Sequence, residues 1–160
     1  MIVSNETNGK RQRNMANHAP LKLERFLPYR LSILSNRVSA SIARDYQDRF
    51  DLSTTEWRVM AVLARFHDDG LSAREVAART EMDKVAVSRA LARLVAAGRV
   101  RRGVHGADKR RSVLALTAAG WKIHDQVAPL ALAHECELLA RLSVSELHTL
   151  TRILDKLAAV

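Results

Sequence analysis

The chain has a single cysteine, Cys136, among its 160 residues. One thiol excludes an internal disulfide framework and any cysteine-built zinc site. Its expected place is that of a small buried hydrophobe. The alternative, a redox switch, needs a lowered thiol pKa, and only His134 and Glu137 stand close by in sequence. Long apolar runs are also missing: none approaches the roughly 20 residues that span a bilayer. The first twenty residues are polar and hold no stretch like that of a signal peptide. The chain is therefore expected to be soluble and cytoplasmic, with no membrane role. There is no Gly-rich phosphate loop, no nucleophile elbow and no plausible Ser-His-Asp set. No catalytic residue, cofactor or enzyme activity is expected.

Acidic residues are nearly absent from one segment. Between Lys84 and Arg111 there are nine basic residues (Lys84, Arg89, Arg93, Arg99, Arg101, Arg102, Lys109, Arg110 and Arg111) and one acid, Asp108. That segment carries +8 of the chain's +9, and the rest is almost balanced. A solvated basic face is the bland explanation of any charge run. Concentration into one segment points instead to a polyanionic partner, nucleic acid above all. An anionic membrane surface fits less well, because the charges do not follow a single amphipathic stripe.

What is present is apolar periodicity, with 48% hydrophobic residues to build a core. Residues 1–20 are Asn-, Lys- and Arg-rich and read as a disordered tail. Leu21 to Phe26 is a short amphipathic piece. Pro28 suits the first turn of a helix, and Leu31, Leu34, Val38, Ile42, Tyr46 and Phe50 follow at helical spacing to about Asp51. Three Ser-x-x-Glu sequences precede apolar runs and read as capping boxes: Ser53 with Glu56, Ser72 with Glu75, and Ser143 with Glu146. They predict a helix through Trp57, Met60 and Leu63, a short one through Val76 and Ala77, and a last one through Leu147, Leu150, Leu154 and Leu157. Asp83 predicts a cap for a helix that runs to Ala97, where Gly98 stops it. Arg99 to Arg102 and Ser112 to Leu116 are short and β-compatible, with a glycine-containing basic turn between them. They predict a two-stranded hairpin. Thr117 predicts the start of a helix through Trp121, Ile123, Val127, Leu130 and Leu138. No 20–50-residue repeat is found.

The pair Ser72–Arg79 and Asp83–Ala97, joined by a short turn, has helix-turn-helix spacing. With Val87, Leu91 and Leu94 inward, Lys84, Val85, Ser88 and Arg89 point outward near the N-terminus of the second helix, the end that enters a major groove. Arg can pair two acceptors on guanine, Ser can bond a base or phosphate, and Val can touch a thymine methyl. Backbone NH groups at the helix start are expected to favour phosphate. The hairpin tip with Lys109, Arg110 and Arg111 has the shape to follow a backbone or enter a minor groove.

These residues resemble the MarR family of winged-helix regulators. The matching pieces are Leu71-Ser72-Ala73-Arg74-Glu75-Val76-Ala77, Asp83-Lys84 with Val87-Ser88-Arg89, Arg93-Leu94, Gly98-Arg99-Val100, Asp108-x-Arg110, and Leu114-x-Leu116-Thr117-x-x-Gly120. The resemblance implies a mainly α fold with a small β-hairpin wing. A winged helix-turn-helix lobe (52–117) would be flanked by dimerisation helices (21–51 and 118–158), all within one domain (21–160). It implies that Arg110 contacts the minor groove, that Asp108 pairs with Arg93 to brace the wing, and that Ser88 and Arg89 touch bases or phosphates. Members bind DNA as dimers, and many lose affinity when a small, often aromatic, molecule occupies a crevice beside the dimer helices. Trp57 opens the helix that would line that crevice, and Ser32, Ser35 and Asn36 lie beside an apolar stripe, so these are the candidate ligand residues. The competing readings are a core anchor for Trp57, and solvent or partner-subunit contact for the polar three.

The six histidines suggest no metal site. His134, Cys136 and Glu137 are neighbours in sequence, but residues two apart diverge on a helix, and two ligands are not a site. The expected function is thus a homodimeric, ligand-responsive repressor on an approximate inverted-repeat operator in double-stranded DNA. The rival is a winged-helix module that binds an acidic protein.

Overall fold

The computed structural model describes residues 21–68, 70–104 and 112–159. Six helices and one antiparallel hairpin follow the expected order. A 3-10 turn, Leu23–Arg25, precedes α1 (Leu27–Phe50). Then come α2 (Thr54–Arg65), α3 (Ala73–Thr80), α4 (Lys84–Ala96), β1 (Val100–Val104), β2 (Ser112–Leu116), α5 (Ala118–Leu139) and α6 (Val144–Ala158). The chain divides into two compact units, one ending at Arg37 and the other beginning at Val38. No helix among the described residues is long and apolar enough to cross a membrane.

In the first unit the beginning of α1 leaves Leu27, Tyr29, Leu31 and Leu34 exposed. The core belongs to the second unit. Tyr46 of α1, Val59, Met60 and Leu63 of α2, Val76 of α3, Val87, Leu91 and Leu94 of α4, Val100, Leu114 and Leu116 of the hairpin, and Val127 of α5 form one buried cluster. Burying such side chains is worth about 1.5–3 kcal/mol each relative to exposure.

All three capping boxes form. Ser53, Ser72 and Ser143 each accept from the backbone of the Glu three residues on, and each Glu carboxylate takes the serine's own NH. Thr117 accepts from Gly120 N and opens α5. Gly98 ends α4 with φ +67°. Around it the Gly98 NH reaches Val95 O and the Arg99 NH reaches Leu94 O, which together satisfy the carbonyls left open at a helix end.

Two expectations are corrected. The first strand starts at Val100 and runs to Val104, because the Arg99 NH is still engaged by Leu94 O at the end of α4. Cys136 is exposed and not a buried hydrophobe. It sits about 200° around α5 from the inward His134 at 3.6 residues per turn. The apolar stripe of α6 forms as expected, and among the described residues it has little cover: Leu150, Ile153, Leu154 and Leu157 are all exposed.

Candidate nucleic-acid interface

Helix α4 is fixed from inside and bare outside. Val87, Ala90, Leu91 and Leu94 are buried, and this stripe sets the rotation of the helix. Lys84, Val85, Ser88 and Arg89 then share the opposite face, all exposed. Val85, an apolar residue in the first turn, is 54% exposed. A side chain that gains nothing from the core at such a position is suited to an apolar partner outside the chain.

The turn from α3 into α4 is tight. Glu81 adopts a left-handed conformation, φ 49°, which a non-glycine residue visits only at some cost. It lies in a concavity lined also by Arg74 of α3, Met82, Asp83 and Lys84. Arg74 is therefore a basic side chain of the first helix beside the second, a placement that α3 alone did not reveal in the sequence. Asp83 Oδ1 accepts from Val85 N and Ala86 N at 2.9 and 3.0 Å. This corrects the expectation that the NH groups at the start of α4 are open to phosphate, since the carboxylate of Asp83 already occupies two of them.

The hairpin pairs Val100 with Leu116, Arg101 with Ala115, Arg102 with Leu114, Gly103 with Val113, and Val104 with Ser112. Its base is fixed to the lobe: Leu114 N donates to Leu71 O at 2.8 Å, and Val100, Leu114 and Leu116 are buried. Arg101 and Arg102 are exposed there. Asp108, Lys109, Arg110 and Arg111, the expected tip residues, lie outside the described residues.

Two of the basic residues turn toward the protein. Arg93 Nε is 3.2 Å from Glu56 Oε1, and its Nη2 is 3.9 Å from Asp51 Oδ1. Arg99 donates to Phe50 O at 2.5 Å and Asp51 O at 3.0 Å, so a cation closes the carbonyl end of α1. The expected partner of Arg93 was Asp108; Glu56 was read from the sequence only as a helix cap. Its i+3 spacing from Ser53 accounted for it, and no local signal announced a second role.

The residues expected to meet a ligand are dispersed. Ser32, Ser35 and Asn36 are exposed on α1 in the first unit. A groove of about 430 Å³ there is lined by Leu27, Tyr29, Leu31, Ile33 and Leu34 with Arg30 and Arg37, and by none of those three. Trp57, in the second unit, packs with its ring 6.0 Å from Tyr46 and stacked 5.7 Å from His124. His124 in turn meets Trp121 edge-on at 5.3 Å. Trp57 thus has the surroundings of a core anchor. Burial pushes the Tyr46 phenol above its ordinary pKa, against the lowering effect of Thr54 and Arg58 beside it. His134 Nε2 bonds Asp45 Oδ2 at 2.5 Å and joins α5 to α1; its Nδ1 is 3.9 Å from Glu137. Among the described residues no three His, Cys, Asp or Glu side chains gather as a metal set.

Residues 50–111 match the MarR family profile. Compared with curated proteins by sequence, the chain finds no significant match. Among solved structures it is similar to a MarR-family transcriptional regulator of Silicibacter pomeroyi, at 27% identity over 89% of this chain and 94% of the other, with TM-score 0.70. A MarR/EmrR-family transcriptional regulator of Acinetobacter sp. ADP1 is 25% identical over 87% and 96%, with TM-score 0.78. A mutant MarR of E. coli complexed with operator DNA is 26% identical over 87% and 99%, with TM-score 0.70.

Proposed function

For a chain whose residues 50–111 match the MarR family profile and whose fold is similar to that of MarR-family transcriptional regulators, we propose sequence-specific binding to double-stranded DNA by a homodimer acting as a ligand-responsive repressor. The observation that carries the reading is the bare face of α4: Lys84, Val85, Ser88 and Arg89 exposed together on a helix whose other side is fully buried. The side chains can bond guanine, phosphate and a thymine methyl, and the helix end that bears them is the one that enters a major groove.

In this proposal residues 52–117 form the reading lobe and the helices before and after it form the dimer. The wing tip supplies Lys109, Arg110 and Arg111 to phosphates or the minor groove. Asp108 braces the wing against Arg93; since Arg93 Nε is used by Glu56, the brace would run through the outer guanidinium nitrogens. The relative from E. coli was solved with operator DNA, which supports duplex DNA as the partner here. A small, aromatic effector completes the proposal. Its candidate residues are Ser32, Ser35 and Asn36 in the first unit and Trp57 in the second, each to be tested by its own variant.

The deciding experiment is a footprint on DNA flanking the protein's own gene, followed by titration of that duplex and of a random one over a salt series. A DNA reader prefers the footprinted duplex by a factor of roughly 10³ or more. Equal binding to both duplexes would leave the acidic-protein reading. Repeating the footprint with aromatic acids or their thioesters tests the effector.

A further inference from the structure

The recognition helix α4 is tied to the rest of its unit by a charged contact near its C-terminal end. Arg93 stands in the last turn of α4 and reaches Glu56 in the first turn of α2. The Glu56 side chain is 3% exposed and that of Arg93 62%. Taking a carboxylate that far out of water is unfavourable unless its oxygens are bonded. Oε2 is, to Ser53 N and Oγ at 2.8 and 2.5 Å, and Oε1 faces Arg93.

The start of α2 does not itself call for a negative charge. Glutamine closes a capping box as well as glutamate, because only one acceptor oxygen is used. Glutamine in place of Glu56 would keep that oxygen and turn an NH2 toward the Arg93 guanidinium, a donor against a donor. The charge at this buried position is therefore accounted for by Arg93. A second arginine, Arg99, grips the same corner through the carbonyls of Phe50 and Asp51. The end of α4 and the residue after Gly98 are both held on the short stretch from Phe50 to Glu56. The other end of α4 carries the bare face.

We propose that Glu56 is a positioning residue for DNA recognition: acting through Arg93, it sets the angle at which α4 presents Lys84, Val85, Ser88 and Arg89 to base edges. The inference rests on the DNA-reading function above. It also makes Arg93 an internal tie and removes it from the phosphate contacts that composition would assign to it.

The test uses the full-length protein with Glu56→Gln and Arg93→Gln, singly and together. Each is titrated against the footprinted duplex and a random duplex of equal length. Both duplexes are read with the same sample, so any inactive fraction cancels from the affinity ratio. Each single variant is expected to lose about tenfold of the ratio, the effect of roughly one mismatched base pair. Glu56→Gln should bind random DNA at least as tightly as the parent, since it has one negative charge fewer. The double variant should lose no more than the worse single one, as expected when two residues act through one contact. An unchanged ratio in Glu56→Gln overturns the proposal, as does equal weakening on both duplexes, which a purely structural role would give. If Glu56→Gln does not fold, Arg93→Gln, which alters a largely exposed side chain, carries the test, and an unchanged ratio there is equally fatal. A parent protein that fails to distinguish the two duplexes would sink the DNA-reading proposal instead, before any variant is made.

Discussion

Gly120 and Gly98 are both required, for different reasons. A Cβ at Gly120 would stand 2.1 Å from the Arg99 carbonyl oxygen, a backbone atom that cannot swing away. Gly98 has open space around it but a φ of +67°. Gly120→Ala is expected to cost about 3 kcal/mol, as overpacking against main chain does, and Gly98→Ala about 1 kcal/mol. Urea midpoints of the two variants check the order, and a Gly120→Ala protein as stable as the parent would contradict the close approach. Two residues of the proposed wing tip make the corresponding contrast in function. Arg110→Ala should weaken DNA binding and reduce the salt slope by roughly one unit with little change in melting temperature. Asp108→Ala removes a negative charge, so charge counting alone gives tighter binding. Bracing gives weaker binding, because a loosened wing loses entropy when it orders on DNA. Affinities over a salt series decide, and Asp108→Ala binding as well as the parent would end the brace.

At the scale of elements, much was legible because the signals were local. Ser53, Ser72, Asp83, Thr117 and Ser143 each stand at a helix start, and each accepts a hydrogen bond there. The stripe of Val87, Leu91 and Leu94 gives the rotation of α4 from the sequence alone. Long-range partners were not legible. Arg93 read as a partner of Asp108 and Arg99 as the start of a strand; their contacts with α2 and the end of α1, 37 and 49 residues back in the chain, left no local signal. Cys136 looked like a core residue because exposure on α5 depends on which helices pack against it. Asp83 supports one further expectation. Asn caps a helix as well as Asp does, so Asp83→Asn should leave the melting temperature near that of the parent. It also takes a carboxylate off the face proposed to meet DNA, and random duplex should bind more tightly. If stability falls by about 1 kcal/mol or more, as when a cap is deleted, the charge is part of the cap.

For the whole molecule the proposal requires a second copy. Leu150, Ile153, Leu154 and Leu157 of α6 are 37–48% exposed, and Leu27, Tyr29, Leu31 and Leu34 of α1 are 42–55% exposed. Apolar stripes of this extent are unusual for a monomer in water, and a twofold partner is the proposed cover for each. Sedimentation at micromolar concentration should show a dimer, and Leu154→Glu with Leu157→Glu should shift it toward monomer. Two copies of the α4 face should lie about 34 Å apart, or a multiple of it, and protect an approximate inverted repeat. A single asymmetric half-site in the footprint, or a stable monomer, would contradict this.

Thr117 Oγ1 bonds Gly98 O across 19 residues, whereas the Arg99 bonds to Phe50 and Asp51 reach across 49 and 48. Short loops close at a lower cost in entropy than long ones, and local contacts form sooner. Helix α4, the hairpin and the start of α5 can therefore assemble as a neighbourhood before the end of α1 is fastened. During synthesis the order of appearance runs the other way: α1 leaves the ribosome early, but the arginine that closes its last turn is still dozens of residues behind. Helix α1 is thus made early and its last turn is fastened late.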